Sequence, residues 1–168
     1  MVWFHLGVNI GDSRVIIGKE EEGKIAAEEF THDHKPDTPK EKERILASGG
    51  RVFAVEYNDG IDGPPRVWLG HMDVSDLAMS RSLGDAVAHT ASVISDPEFT
   101  ERDLTESDKF IVVATDGLWE FVTNKETADM VAHSENPTRA VEMLMKETNA
   151  RRMAEEQVID DTTIIVLN

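Results

Sequence analysis

Apolar positions along this chain occur either in short β-branched runs or at three- and four-residue steps, and the two patterns locate its elements. Val2 to Ile10 is apolar and β-branched, Gly11-Asp12-Ser13 interrupts the run, and Val15-Ile16-Ile17 resumes it, which predicts a hairpin. Beyond Gly18 and the acidic tip Glu20-Glu21-Glu22-Gly23, Lys24 to Phe30 predicts a third strand, and an antiparallel meander is the simplest arrangement. Thr38-Pro39-Lys40-Glu41 predicts a helix start: a Thr cap, Pro at the first helical position, and Glu placed to close a capping box. That helix runs through Glu43, Ile45 and Leu46, and Gly49-Gly50 ends it. Arg51 to Tyr57 predicts a further strand, and Asn58 to Pro65, with two Gly and two Pro, predicts a polar loop or flap.

In the second half, Phe110 to Ala114 is a continuous apolar run between Asp108-Lys109 and Asp116-Gly117, the pattern of a strand buried on both faces. Thr123 and Glu126 form a second capping-box pair, opening a helix toward His133. Asn136-Pro137 opens another, on which Ala140, Val141, Leu144, Met145 and Thr148 share a face. A last strand is predicted from Thr162 to Leu167. With no internal repeat, low-complexity tract or linker, one α+β domain is the economical reading of the 168 residues.

Composition narrows the function classes. A 40% hydrophobic content can build a core, which separates the chain from disordered sequences. Against 33 Asp and Glu there are only 17 Lys and Arg, a net charge of −16, which argues against binding to phosphate backbones or an anionic membrane. The absence of Cys excludes disulfides, thiolate zinc sites and cysteine nucleophiles; it is compatible with a reducing compartment, and a cytoplasmic or nuclear location is the expectation. No apolar run approaches the roughly 20 residues of a membrane span, and the N-terminus lacks the character of a secretory signal.

Asp116 follows a buried-type strand and precedes Gly, a place where a carboxylate can project into a cleft while the backbone turns. Asp-Gly is also a turn dipeptide, so spacing leaves both a metal ligand and a plain turn open. Asp160-Asp161 precedes the last strand in a similar way, and Asp12 lies in the Gly11-Asp12-Ser13-Arg14 turn. Carboxylates reaching one site from different strand ends can hold Mg²⁺ or Mn²⁺, which take oxygen ligands and retain waters. Ala114, two residues before Asp116, removes the Asp-x-Asp arrangement of enzymes that form an aspartyl phosphate. No serine lies in a G-x-S-x-G elbow and no H-E-x-x-H pair occurs, so His32, His34, His71, His89 and His133 are read as surface or turn residues.

Four blocks occur in a fixed order: Gly11-Asp12-Ser13-Arg14; Asp33-His34-Lys35-Pro36 with the following helix and Gly49-Gly50; Leu77-Ala78-Met79-Ser80-Arg81-Ser82-Leu83-Gly84-Asp85; and Ala114-Thr115-Asp116-Gly117-Leu118-Trp119-Glu120 with the terminal Asp160-Asp161-Thr162-Thr163. In this order the chain resembles the C-terminal half of the metal-dependent Ser/Thr protein phosphatases, type 2C, and Arg66-Val67-Trp68-Leu69 resembles the plant and protist branch. The resemblance implies an antiparallel β-sandwich flanked by helices, lacking its N-terminal part, with residues 1–168 forming the C-terminal portion of the catalytic domain. It implies hydrolysis of phosphoserine and phosphothreonine in phosphoprotein substrates by a metal-activated water, without a phosphoenzyme.

Carried over by position, the resemblance makes Asp116 and Asp160 metal ligands, Asp12 and Glu120 candidates for a third ion, and Gly117 the backbone support of the turn. Glu120 departs from the usual Asp, Asp161 replaces a frequent Asn, and Asp76 stands where Gly is common. Val55 to His71 corresponds to the variable flap near the substrate, including Asn58, Asp59, Gly60, Asp62 and Gly63. The family's phosphate-binding Arg and its Asp-Gly-His-Gly-Gly block, which bridges the metals, do not occur in this chain. Two alternatives follow: a phosphatase portion completed by the missing N-terminal half with two or three Mg²⁺ or Mn²⁺ ions, or a noncatalytic pseudophosphatase-like module that binds phosphoproteins or a partner phosphatase.

Overall fold

The computed structural model describes residues 4–57, 60–69, 77–155 and 161–168. In chain order the elements are β1 (Phe4–Asn9), β2 (Arg14–Glu21), β3 (Lys24–Glu29), α1 (Pro39–Ala47), β4 (Arg51–Tyr57), β5 (Gly60–Trp68), α2 (Ala86–Thr90), β6 (Glu98–Asp103), β7 (Asp108–Ala114), α3 (Asp116–Trp119), α4 (Asn124–Ala132), α5 (Pro137–Glu155) and β8 (Ile164–Leu167). They form two compact units: one of Met1–Val8, Ser13–His32 and Phe99–Asn168, the other of Asn9–Asp12 and Asp33–Glu98.

The first unit is built on an antiparallel sheet of order β3-β2-β7-β8. Register sets Ile16 against Val112 and Val112 against Val166, so these three side chains share a face. With Phe110 and Ala114 they pack on Leu118, Val122, Ala128, Val131, Ala140 and Leu144 of the helical segments. The capping box at Thr123 is formed in both directions, and α5 turns Ala140, Leu144 and Thr148 inward as its spacing predicts. The opposite face carries the rows Val15, Val113, Ile165 and Ile17, Ile111, Leu167. There Ile165 and Leu167 remain 48% and 55% exposed, so β7 is covered fully on one side only, a correction to the doubly buried strand.

The meander also needs correction. β2 has β3 on one side and β7 on the other, so no edge is left for β1, which pairs with β6. The β2–β3 hairpin forms as expected. Strand β6 and the short α2 have no counterpart among the elements the sequence predicts.

In the second unit, Ile45, Val67, Ala88, Ala91 and Val93 make a separate core. Thr38 and Pro39 start α1 and Gly49, with φ +86°, follows its end, as expected. The capping box does not form there: Thr38 Oγ1 donates to the Lys35 carbonyl (2.9 Å), and the Glu41 carboxylate is drawn inward to two arginines. The expected loop of residues 58–65 is largely strand, since Gly60, Asp62 and Gly63 belong to β5 paired with β4. Pro64 and Pro65, which cannot donate to a ladder, fall in the register break between Phe53 and Val55, where the sheet bulges around them. Asn58 and Asp59 lie outside the described residues. No helix of the described residues is long and apolar enough to cross a membrane.

Candidate metal centre

Asp116 is the first residue of α3, immediately after β7, with Thr115 at the cap. Its Oδ1 accepts from the Gly117 N–H (2.9 Å), which folds the half-buried carboxylate back over the turn. Gly117 is required by close approach. A Cβ there would lie 2.5 Å from Thr162 Oγ1 and 2.7 Å from the Asp161 carbonyl oxygen. Two further hydrogen bonds, Thr115 N–H to the Thr163 carbonyl and Thr163 N–H to Thr115 Oγ1 (each 3.1 Å), fasten this turn to the segment entering β8. The structure therefore brings the backbone at 161–163 beside Asp116. Asp160, the other central candidate, lies outside the described residues.

Glu120 ends the same helical turn and is paired with Arg152, whose Nη2 lies 3.7 Å from Glu120 Oε2. Arg152 is buried, stacks over the Phe121 ring at 4.5 Å, and donates to the Gly117 carbonyl (3.4 Å). One face of the Asp116 turn is thus closed by a guanidinium.

Asp12 belongs to the second unit. Gly11 takes φ +104°, a conformation that favours glycine, and the turn buries Asp12 to 6% exposure. Lys35 Nζ donates to Asp12 Oδ2 (2.6 Å), so a cation already faces this buried carboxylate. His34 is 3% exposed, a correction to its reading as a surface residue. Its backbone N–H donates to the Gly11 carbonyl (3.0 Å) and its Nδ1 accepts from the Gly11 N–H (3.2 Å). Burial, reinforced by the nearby Arg81 charge, pushes the His34 imidazole below its ordinary pKa, so it stays neutral.

Behind His34 lies a charged cluster that the residue pattern did not reveal. Glu41, 3% exposed, receives Arg81 Nη2 (2.5 Å), Arg81 Nε (3.2 Å), Arg44 Nη2 (2.7 Å) and Ser80 Oγ (2.8 Å). Burial alone would raise its pKa. The hydrogen bonds from Arg81, Arg44 and Ser80 outweigh that and hold the carboxyl at about 2. The one available signal was Arg81 itself, a charge inside an otherwise uncharged stretch from Leu77 to Leu83.

Among the described residues, no group of three or more acidic or histidine side chains converges on a cation-sized site. The donors that the sequence singled out are carboxylate oxygens, suited to Mg²⁺ or Mn²⁺, and Mg²⁺ is commonly held by one or two carboxylates with waters and phosphate oxygens completing its shell. Asp116 meets that description. Asp12 fits it as a buried carboxylate whose charge is at present balanced by Lys35.

Comparison with known proteins bears on the family of the chain. The family model described as "Protein phosphatase 2C" matches residues 8–157. "Probable protein phosphatase 2C 52" of Arabidopsis thaliana is 46% identical over 138 residues, covering 82% of this chain and 29% of the relative. "Probable protein phosphatase 2C 64" of Oryza sativa subsp. japonica is 39% identical over 163 residues, covering 95% and 38% respectively. The crystal structure of the serine-threonine phosphatase 2C from Toxoplasma gondii superposes with a TM-score of 0.79 at 25% identity, over 97% of this chain and 54% of that one. The chain thus spans about a third of these plant relatives and about half of that structure. Asp116 with its glycine, the strand that delivers it and the family match over residues 8–157 lead to one conclusion: the chain belongs to the protein phosphatase 2C family.

Proposed function

We propose that the chain is the C-terminal portion of a metal-dependent Ser/Thr protein phosphatase domain, hydrolysing phosphoserine and phosphothreonine once the family's N-terminal half is supplied. The observation that carries this reading is the Asp116 turn, fastened to the 161–163 segment so tightly that only glycine fits at 117. Asp116 and Asp160 would be this chain's contribution to the central ions, and Asp12 and Glu120 are the candidates for a further ion. Divalent ions bound there supply a water of lowered pKa as the nucleophile. Within this chain, the Gly117 N–H orients the Asp116 carboxylate, and Lys35 balances the charge of buried Asp12.

The partner half is favoured by the apolar surface the first unit leaves open: Leu6, Val8, Phe99, Ile165 and Leu167 are each at least 48% exposed on its strands. Assayed with Mn²⁺ on a phosphothreonine peptide, the chain alone is expected to be inactive. Mixed with an N-terminal half carrying the Asp-Gly-His-Gly-Gly block, it is expected to turn over. Substantial activity of the chain alone, or none from a folded complex with intact ligands, refutes the reading.

One observation favours the second reading, a noncatalytic module binding phosphoproteins or a related phosphatase: Asp12 and Glu120 are engaged by Lys35 and Arg152. Retention of a phosphothreonine peptide by a complex that binds Mn²⁺ yet fails to hydrolyse it would select that alternative.

A further inference from the structure

We propose that His34 is the positioning residue of the Asp12 turn, its Nδ1 acting as the acceptor that fixes how the Asp12 carboxylate is presented to a divalent cation. The consequence for cation binding rests on the metal-dependent reading above; the positioning role itself rests on geometry. Gly11 is gripped by His34 from two sides. The backbone N–H of His34 donates to the Gly11 carbonyl (3.0 Å), and the Gly11 N–H donates to the ring Nδ1 (3.2 Å). Asn9 Nδ2 reaches the same carbonyl (3.3 Å), so both polar backbone groups of Gly11 are satisfied, its N–H by His34 alone.

A donor at Nδ1 fixes the tautomer: the single proton of the neutral imidazole is on Nε2. Nε2 faces Glu98 Oε2 at 3.4 Å, without the alignment of a hydrogen bond. The other end of the residue is equally committed. The His34 carbonyl accepts from the Ser80 N–H (2.7 Å) and Ser80 Oγ (2.9 Å), and Ser80 Oγ is also 2.8 Å from Glu41 Oε2. His34 therefore joins the turn to the Glu41–Arg81 cluster, in which one buried carboxylate receives four hydrogen bonds. Without the ring, the Gly11 N–H would be a buried donor with no acceptor, and the cheapest relief is rotation of the Gly11 peptide. That N–H lies in the Ile10–Gly11 peptide, and turning it changes φ at Gly11 and with it the direction in which Asp12, the next residue, leaves the turn.

The test uses the full chain, wild type and two variants. His34→Phe keeps the ring volume and removes the acceptor, whereas His34→Asn places a carbonyl oxygen near the position of Nδ1. In the wild type, a scalar coupling across the hydrogen bond is expected between the Gly11 amide nitrogen and His34 Nδ1, with the ring proton on Nε2. Titration with Mn²⁺ is expected to broaden the Gly11–Ser13 amides, and His34→Phe to weaken that response by roughly tenfold, the loss typical when a partner behind a ligand is removed. Broadening at the Gly117 amide is expected to be unchanged, and His34→Asn to restore most of the response at Asp12. Absence of the coupling, an unaltered Asp12 response in His34→Phe, or a parallel loss at Gly117 would overturn the positioning role. Absence of Mn²⁺ broadening at both turns of the wild type would overturn the metal-dependent reading, while the coupling still decides the role of His34.

Discussion

Replacing Glu41 by Gln should be the most damaging single isosteric change in the second unit. The carboxylate receives four hydrogen bonds, two from Arg81, one from Arg44 and one from Ser80, in a site where Glu41 and Arg81 are 3% and 7% exposed. After substitution Arg81 keeps the Asp96 carbonyl (2.9 Å), and Arg44 keeps the Ser92 and Ser80 carbonyls (2.6 and 2.9 Å). Both guanidinium groups then lose the one carboxylate they share, and Arg81 is left with only the more distant charges of Glu98 and Asp96. Removing one member of a buried ion pair costs about 3–5 kcal/mol. Proton linkage gives a second route to the magnitude. A carboxyl held at a pKa of about 2 in the folded chain against 4.5 unfolded contributes about 3 kcal/mol near neutral pH, at about 1.4 kcal/mol per tenfold in proton affinity.

The two routes agree on roughly 3 kcal/mol. Because the folded pKa is the lower one, this stability is fully present above pH 4.5 and is lost as pH falls toward 2. Urea titrations of wild type and Glu41→Gln, read by exchange of the Val67 amide, are expected to differ by that amount at pH 7 and to converge progressively as pH falls from 4.5 toward 2. The Val67 N–H is a suitable probe because it donates to the Leu77 carbonyl inside this unit's core. A difference below about 1 kcal/mol at pH 7, or one that does not shrink in acid, would refute the reasoning.

Other perturbations address the first unit and the candidate ligands. Asp116→Ala is expected to weaken Mn²⁺ or Mg²⁺ binding more than Asp12→Ala, since Asp116 is assigned to the central ions; equal losses by calorimetry would contradict the assignment. Gly117→Ala inserts a methyl 2.7 Å from the Asp161 carbonyl oxygen and should cost about 1–3 kcal/mol, seen as several degrees in Tm, and an unchanged Tm would mean that the 161–163 segment yields freely. Thr123→Ala removes the α4 cap that accepts from the Glu126 N–H (3.2 Å) and should destabilise the first unit by about 1 kcal/mol in urea unfolding, whereas no loss would make the capping box ornamental.

Local rules made much of the fold legible. Pro39 at the start of α1, Gly49 after its end, the Thr123–Glu126 box and the inward face of α5 are decided by neighbours in sequence, and each lies where the pattern places it. Pairing partners were not legible in the same way. The β1–β2 hairpin was a fair inference from two apolar runs and a turn, yet β2 is flanked by its other sequence neighbour, β3, and by β7 from the far half of the chain. Glu41 carries the same lesson at the level of one side chain: its spacing from Thr38 matches a capping box, but two guanidinium groups outbid a backbone N–H for a carboxylate. The Asp116 turn was found because strand, acid and glycine are contiguous. His34 was missed because its partners, Gly11 and Ser80, are 23 and 46 residues away.

Residues Asn9–Asp12 belong to the second unit although the chain on both sides of them, Met1–Val8 and Ser13–His32, belongs to the first. Neither unit is therefore a continuous stretch of sequence, and no single cut releases the second one whole. A piece beginning at Asp33 would keep the Glu41–Arg81 cluster but present His34 with an empty ring nitrogen and an unpaired backbone N–H. Folding inherits the same constraint: the second unit cannot close its last hydrogen bonds until a turn made some twenty residues earlier has been delivered to it, so its completion depends on contacts distant in sequence, the kind that slow the search for the native state.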